Sequence, residues 1–337
     1  MPALLTPPEP ESDSRTPAPR WKHVSVILNR ESGTIAGLGP DKVGDRLKSL
    51  MREAGVEMDL HCVPGKEIDA ALRKARAGNS DAVIIGGGDG TVAAAAGIFS
   101  GSEKPLGILP LGTFNLAARD VGMPLDWEKA AVALLESPVA EMDLLDVGGN
   151  PALCVLVLGF YPALQMGKPE YHGNWLIKAW HTAKMALRSA ATFPPLNLTV
   201  TRNGKQTHHR SRIALLANND YEDLFGFIPR RKSLSAGYFT LYISTHRTRL
   251  GMIKSFLAWT FGRWKQDREL TVVQATDIEI QVPRRRTLPM MRDGEIEKVP
   301  MPLRITLLPG ALRVLAPRVR EEAEAAQKTG DAVPSVF

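Results

Sequence analysis

Residues 81–91 read DAVIIGGGDGT, and this stretch decides the fold of the first half of the chain. It opens with a short apolar run, which is typical of a parallel strand that is covered on both faces. A glycine-rich loop follows, and residues 91–99 then favour a helix. The order of apolar run, glycine loop and helix recurs over residues 106–120, which read LGILPLGTFNLAARD. Two such units in succession indicate parallel strands joined by helices.

The same alternation holds upstream of this stretch. Residues 23–28 predict a first buried strand, and they are followed by a predicted helix (41–54), a strand (56–61) and a second helix (67–76). We therefore predict an N-terminal α/β domain over residues 21–147, with an open parallel sheet of the doubly wound type.

From about residue 148 the pattern changes to short strands in which apolar and polar residues alternate. Hairpin dipeptides such as Asn203-Gly204 and Asp293-Gly294 separate several of them. Residues 148–316 are predicted to form a mostly antiparallel, β-sandwich-like C-terminal domain. Amphipathic helices are expected within it, over about 175–190 and 250–264.

Composition excludes several classes of protein. The chain has 337 residues and two cysteines, Cys62 and Cys154, which excludes a disulfide scaffold and a zinc finger. Residues 1–20 contain no hydrophobic block, so a secretory signal is not expected, and they and residues 317–337 are predicted to be a disordered and a flexible tail. No run of about 18 apolar residues occurs. These observations predict a cytoplasmic protein that does not span a membrane.

Charge is distributed unevenly along the chain, whose net formal charge is +6. Residues 150–316 hold 24 Lys and Arg against 11 Asp and Glu, whereas residues 1–149 hold 15 against 21. Such a basic segment favours an anionic partner. The clusters at 230–232 and 284–286 are expected to contact anions, because three consecutive positive charges repel one another.

The glycine-rich loop at 86–90 is suited to phosphate binding. Glycines leave backbone N–H groups accessible, and the positive end of the next helix points to the same place. Asp89 fits there if it holds Mg²⁺ or takes a proton from an attacking hydroxyl. No lysine follows the loop, which excludes a P-loop, and Thr91 stands where a dinucleotide fingerprint needs glycine. A tight turn whose glycines serve packing alone stays open as an alternative.

Three elements together resemble the diacylglycerol kinase catalytic-domain family, the soluble lipid kinases that include bacterial diacylglycerol kinases and sphingosine and ceramide kinases. They are GGDGT at 87–91, PLGTFN at 110–115 and DGE at 293–295. Further similar stretches are NRESG at 29–33, with Arg30 where proline is usual, MDL at 142–144 and ANN at 217–219. The resemblance extends from about residue 24 to residue 317.

The resemblance implies a kinase that uses ATP and Mg²⁺ to phosphorylate a hydroxyl of diacylglycerol or a related lipid alcohol. The residues that would bind ATP are Asn29, Gly87, Gly88, Gly90, Thr91, Gly112, Thr113 and Asn115. The catalytic residues would be Asp89, Asp293 and Glu295, and the metal ligands would be Asp89, Asp143 and Asp293. Without the upstream glycine loops, a hairpin turn would be the preferred explanation of Asp293-Gly294.

The sequence departs from the family pattern in two acidic positions. Leu116 stands where the family usually carries an acidic residue, and Asp120, one helical turn later, is expected to substitute in part. Ser235-Ala236-Gly237 replaces an acidic loop that binds a structural metal in the family, so no such metal is expected.

Partners follow from the predicted helices at 175–190 and 250–264, which combine Lys, Arg and Trp as membrane-surface helices do. We expect a lipid alcohol as substrate, an anionic membrane surface as partner and no nucleic acid, and a homodimer is left open. Two alternatives remain: a kinase of a soluble substrate, similar to NAD kinases, and a nucleotide-responsive membrane-binding module without catalysis.

Overall fold

The computed structural model of the chain describes residues 20–159, 195–221, 231–246, 248, 251, 254, 267 and 269–317. The predicted tails and the predicted helix at 175–190 lie outside the described residues, and so does nearly all of the predicted helix at 250–264. In the part of the chain that is described, no helix is both long and apolar enough to cross a bilayer.

The first half alternates strands and helices, as the sequence predicts. Its elements are β1 (His23–Asn29), α1 (Gly33–Leu38), α2 (Pro40–Glu53), β2 (Glu57–Val63), a 3₁₀ turn (Gly65–Glu67), α3 (Ile68–Ala77), β3 (Ala82–Gly87), α4 (Asp89–Phe99), β4 (Leu106–Pro110), α5 (Leu116–Asp120), α6 (Trp127–Glu136) and β5 (Val139–Val147). β1 to β4 are parallel to one another in the spatial order β2-β1-β3-β4. The α/β fold class is confirmed.

This strand order creates a place for a ligand. β1 has β2 on one side and β3 on the other, so the connections that leave β1 and β3 run to opposite sides of the sheet. A crevice opens outside the carboxyl ends of the strands at such a switch point, and ligands of open α/β sheets bind there. The two glycine loops follow β3 and β4, and therefore lie at this edge.

In the second half, the regular elements of the described residues are nearly all strands. They are β6 (Asn150–Ala152), β7 (Val155–Gly159), β8 (Leu196–Arg202), β9 (Lys205–Ser211), β10 (Ile213–Asn218), β11 (Phe239–Ser244), β12 (Leu270–Ala275), β13 (Asp277–Gln281), β14 (Thr287–Arg292), β15 (Glu295–Pro300) and β16 (Leu303–Leu315). Six of them form an antiparallel sheet in the order β12-β11-β10-β7-β14-β15.

That sheet packs against the other sheet, which continues from β4 through β16, β13, β8 and β9. A shared apolar core between the two layers includes Leu158, Leu216 and Phe239 from one sheet and Leu198 and Ile305 from the other. Along β8 the alternate side chains of Leu196, Leu198 and Val200 are buried in this core. The β-sandwich-like architecture predicted for the second domain is confirmed.

β16 joins the two halves. Its first part pairs with β13, and most of its length pairs with β5 in antiparallel register. Near its end, Val314 pairs in parallel with Leu106 of β4, and Leu312, Val314 and Leu315 are buried in the N-terminal core. The sequence pattern assigned this strand to the second domain, because alternation alone does not tell which sheet a strand completes. The last strand therefore continues the sheet of the first half into the second half.

Candidate functional site: a cleft between two glycine loops and a hairpin

A cleft of about 550 Å³ opens at the carboxyl ends of the parallel strands. Segments that follow β1, β2, β3 and β4 line one side, and the hairpin between β14 and β15 closes the other. Nine residues predicted from the sequence line it, namely Asn29, Gly88, Asp89, Gly90, Thr91, Gly112, Thr113, Asp293 and Glu295. The structure thus gathers most of the predicted site in one place.

The first glycine loop connects β3 to α4. Gly88 is the N-cap of α4, so the free N–H groups and the positive end of this helix face the cleft. Thr91, in the first turn, accepts a hydrogen bond at Oγ1 from Asn29 Nδ2 at 2.9 Å. The Asn29 Oδ1 atom accepts from the N–H of Glu31 at 3.0 Å. Asn29 therefore fixes the end of β1 to the beginning of α4.

The second glycine loop is closed by its own asparagine. Asn115 has a left-handed backbone with φ of 53°. Its Oδ1 atom accepts from the N–H of Gly112 at 2.9 Å, and its Nδ2 atom donates to the carbonyl of Gly112 at 3.0 Å. Asn115 and Gly87, which lies inside β3, do not line the cleft. Both were predicted to bind ATP, and both instead support the loops that form the cleft wall.

Two glycines of the cleft have space beside them that no protein atom fills. A Cβ on Gly33 would have no heavy atom within 4 Å, and one on Gly88 would approach only the Cα of Gly112, at 4.0 Å. Neither residue has a positive φ. Packing and backbone conformation therefore do not require glycine at either position, and the space beside both residues is open to a ligand that lies against the bare backbone. This argues against the alternative that the glycines serve packing alone.

Asp89 begins α4 and points into the cleft. Its carboxylate accepts from the N–H groups of Leu116 at 2.7 Å and Asn115 at 3.1 Å, one to each oxygen. Burial raises the pKa of Asp89, and the nearby Asp293 carboxylate raises it further, whereas the two N–H groups lower it. A carboxylate has about four acceptor sites, so that of Asp89 can still accept a proton or bind a cation.

Asp293 is the first residue of the hairpin turn, with φ of 47°, and Gly294 follows with φ of 96°. Both values are left-handed, as two-residue hairpin turns require, so the hairpin explanation for Asp-Gly is correct and the site explanation is compatible with it. The side chain is 3% exposed. Its oxygens accept from the N–H groups of Leu153, Cys154 and Val155 at 2.6, 2.7 and 2.9 Å.

Glu295 is the exposed carboxylate of the hairpin. It lies over the start of α4, where a Cβ on Gly90 would be 2.9 Å from its Oε1 atom.

Burial raises the pKa of Asp293, while its three N–H donors and Arg231 lower it. Carboxylates from both halves of the molecule thus share one cleft with the glycine loops.

Asp143 is not brought into the cleft. It is 1% exposed, and its oxygens accept from the N–H groups of Gly237 and Gly310 and from the side-chain amide of Asn219, at 2.8–2.9 Å. Three of the roughly four acceptor sites of the carboxylate are thus occupied, and Asp143 does not line the cleft. The predicted role of Asp143 as a metal ligand is therefore not supported by its surroundings, which make it a buried acceptor that joins three segments.

Arg231 and Asp120 also differ from their predicted roles. Arg231 has no exposed surface, and its Nε atom lies 3.2 Å from Oδ2 of the buried Asp120. Arg231 is therefore not part of a surface that contacts anions, and Asp120 does not reach the cleft as a substitute for the acid missing at Leu116. The cluster at 284–286 is exposed, as predicted.

Magnesium suits the carboxylates of this cleft. Mg²⁺ commonly takes one or two protein carboxylates and completes its shell with phosphate oxygens and water. Asp89 and Glu295 offer such carboxylates, whereas the Asp293 oxygens are already engaged by N–H groups. Among the described residues, no group of three or more His, Cys, Asp or Glu forms a cage for a metal. The donor set therefore fits a metal that arrives together with a nucleotide.

Other cleft residues were not singled out as site residues from the sequence. They are Glu31, Ser32, Gly33, Gly65, Ile68, Asp69, Ala94, Phe114 and Gly294. Their common feature is position, because most of them directly follow a parallel strand or a glycine loop. The carboxyl ends of β1 and β2 were a usable signal, since all parallel strands of a sheet deliver their loops to one edge. Ser32 and Gly33 lay within the NRESG stretch already noted.

Comparison with known proteins places the whole described fold in one family. The family model "Diacylglycerol kinase catalytic domain" matches residues 23–147, and the model "YegS C-terminal NAD kinase beta sandwich-like domain" matches residues 170–316. The diacylglycerol kinase of Mycobacterium tuberculosis is 24% identical over 315 residues, which cover 88% of this chain and 95% of that protein. A "probable lipid kinase YegS-like" of Chromohalobacter salexigens is 26% identical over 311 residues, covering 87% and 92%.

Solved structures agree in fold. One from Bacillus anthracis superposes with a TM-score of 0.70 at 18% identity, over 90% of this chain and 97% of that one. Another from the same organism, described as a diacylglycerol kinase, gives 0.61 at 16% identity, over 88% and 97%. The two consecutive family models, the relatives and the glycine-loop cleft lead to the same conclusion. The chain belongs to the diacylglycerol kinase catalytic-domain family of lipid kinases.

Proposed function

We propose that the protein transfers the γ-phosphoryl group of ATP to a hydroxyl of a lipid alcohol, such as diacylglycerol, at an anionic membrane surface. The observation that carries this proposal is the arrangement of the cleft, in which two glycine loops face the carboxylates of Asp89 and Glu295. Phosphoryl transfer needs such positioning of phosphates and carboxylates more than it needs covalent chemistry. The names of the relatives support a lipid as the acceptor.

ATP phosphates would lie against the open backbone beside Gly88 and Gly33, near the N-terminus of α4. Glu295 is the residue that would hold Mg²⁺ with the nucleotide. Magnesium, when bound, supplies charge neutralisation for the phosphates. The protein provides the space, the N–H donors and the two carboxylates.

Asp89 is the residue that we assign as general base. It lines the cleft, keeps lone pairs free, and has a raised pKa, which suits a group that must accept a proton. In the transfer the acceptor oxygen bonds to the γ-phosphorus, the bond from that phosphorus to the bridging oxygen breaks, and ADP leaves. The hydroxyl proton passes to the Asp89 carboxylate. Asp293, whose oxygens accept three N–H groups, orients the segment beneath the cleft.

A membrane surface is proposed as the place of reaction because a lipid acceptor lies in a bilayer. The basic composition of residues 150–316 supports this, and the exposed turn at 284–286 is one of its described parts. Each Lys or Arg near an anionic surface contributes roughly 1 kcal/mol. Flotation with anionic and neutral vesicles, comparing wild type with a variant that carries serine at 284–286, tests this part separately.

The deciding experiment is transfer of labelled γ-phosphate to a panel of lipid alcohols in anionic vesicles, with ATP and Mg²⁺. We expect label in at least one lipid with wild type and a loss of at least about 100-fold with Asp89→Asn. Asp45→Asn is the matched control, because Asp45 is exposed on α2 and its carboxylate pairs with the equally exposed Lys48. ATP binding without transfer to any lipid would reject the proposed activity in favour of a nucleotide-responsive binding module. Transfer to a soluble alcohol alone would favour the NAD-kinase-like alternative.

A further inference from the structure

Arg231 is a completely buried arginine, and its surroundings connect the two carboxylates of the cleft. A buried charge is costly unless it is paired and hydrogen-bonded. Arg231 Nε lies 3.2 Å from Asp120 Oδ2, and the Arg231 N–H donates to Asp120 Oδ1 at 3.3 Å. The Asp120 carboxylate therefore contacts both the side chain and the backbone N–H of Arg231.

Asp120 is connected to the Asp89 carboxylate through the short helix α5. It is the last residue of α5, whose first residue is Leu116. The N–H groups of Asn115 and Leu116, at the start of this one-turn helix, hold the Asp89 carboxylate. Because α5 is so short, whatever fixes Asp120 also fixes the donors that orient Asp89.

Arg231 is also connected to the Asp293 carboxylate, through the backbone of Leu153. Its Nη2 atom donates to the carbonyl of Leu153, which the side-chain amide of Asn218 also contacts at 2.9 Å. Leu153 begins the three-residue segment whose N–H groups hold the Asp293 carboxylate. The thiol of Cys154, in the same segment, lies 3.7 Å from Asp120 Oδ2. The pair of Arg231 and Asp120 therefore contacts both segments whose N–H groups hold the carboxylates of the cleft.

We infer that Arg231, paired with Asp120, is a positioning residue that holds Asp89 and Asp293 in fixed relation across the cleft. This inference rests on the proposed function. A purely stabilising role explains the geometry less well, since a buried ion pair is weak evidence for stability and is often replaceable by apolar side chains of similar volume without loss. Its place between the two sets of N–H donors is what a positioning role requires.

The test is a double variant, Asp120→Leu with Arg231→Met, which removes both charges of the pair and leaves the buried Asp293 carboxylate with its three N–H donors. We expect it to fold, to keep the KM for ATP within about threefold, and to lose roughly 10- to 100-fold in kcat. ATP binding is spared because the glycine loops are fixed by their own contacts, such as that between Asn115 and Gly112. Arg231→Lys keeps the charge and loses the forked donors, so it should recover part of the lost kcat.

A control pair removes an ion pair of a different kind. Arg46→Ala with Glu128→Ala breaks the exposed pair between α2 and α6, whose Nε and Oε2 atoms are 2.7 Å apart. This variant should keep both kcat and KM. A wild-type kcat in the Asp120→Leu, Arg231→Met variant with an intact fold would overturn the inference, and so would a KM change that accounts for the whole loss.

Hydrogen exchange makes the inference testable even if the lipid substrate is wrong. Amides of Leu153, Cys154, Val155 and Leu116 should exchange at least about tenfold faster in the double variant than in wild type. Amides of the β8–β9 hairpin, Leu196 to Ser211, should be unchanged. Unchanged exchange at all of these amides would reject the positioning role, whereas absence of kinase activity in wild type would reject only the proposed function.

Discussion

Gly112 and Gly88 pack backbone against backbone, so closely that a Cβ on Gly112 would lie 2.6 Å from the Cα of Gly88. The contact joins the loop after β4 to the loop after β3. The converse substitution meets no such obstacle, because a Cβ on Gly88 points into the cleft and stays 4.0 Å from Gly112. Two neighbouring glycines therefore have different reasons to lack a side chain.

The first prediction separates those reasons. Gly112→Ala should lower the free energy of unfolding by roughly 1–3 kcal/mol, because backbone atoms must move to admit the methyl group. Gly88→Ala should leave the Tm unchanged and weaken ATP binding about tenfold or more, since the methyl group occupies the ligand's space. Thermal unfolding and calorimetric titration measure the two effects. Equal loss of stability in both variants would contradict the assignment of Gly88 to the ligand.

The second prediction concerns the three N–H groups that Asp293 accepts. Asp293→Ala leaves these donors without their acceptor and places alanine at a positive φ, so it should destabilise the fold by roughly 1–3 kcal/mol. Asp293→Gly removes the same acceptor and relieves the backbone, and its loss should be smaller. Asp293→Asn keeps one acceptor oxygen and should lose least. Urea unfolding of the series checks this order, and a reversed order would show that the hydrogen bonds are not what Asp293 contributes.

The third prediction follows from the raised pKa of Asp89. The folded state binds a proton to this group more tightly than the unfolded state does, so ionisation destabilises the fold. The free energy of unfolding of wild type, relative to Asp89→Asn, should therefore fall as pH rises from the ordinary value of 3.8 through the raised pKa, and stay constant above it. Unfolding is measured at several pH values without nucleotide or metal.

The same measurements in an Asp293→Asn background test whether the Asp293 charge contributes to the raised pKa of Asp89. Removal of the neighbouring negative charge lowers the pKa of Asp89, so the pH window should narrow. A fall in relative stability towards low pH would contradict the direction of the shift.

The fourth prediction concerns Glu295, which is exposed and lies over Gly90. Glu295→Gln should leave the Tm unchanged, since no buried contact is lost, and should raise the Mg²⁺ concentration for half-maximal activity by roughly tenfold. Glu57→Gln, at an exposed position of β2, is the control and should change neither quantity. A magnesium requirement that stays constant would remove Glu295 from the residues that hold the metal.

Local sequence patterns predicted the α/β order, the sandwich and the shared cleft, because apolar runs and glycine loops are encoded within a few residues. Asp143 and Arg231 are two residues whose surroundings local sequence patterns did not predict. An aspartate within a strand and an arginine in a basic run look the same in the sequence whether they face solvent, a metal or the core. Their partners, Gly310 and Asp120, are distant in sequence, and only the packing of both halves decides these contacts.

β16 has a consequence for how the chain acquires its structure during synthesis. The sheet that carries the glycine loops is finished only when residues 303–315 pair with β4 and β5. On the ribosome, the first half would wait with open strand edges until almost the entire polypeptide had emerged. The cleft and the hairpin that lines it therefore reach their final form in the same late step. A truncated product that ends near residue 147 would lack the β16 neighbour of β4 and β5 as well as the carboxylates of the hairpin.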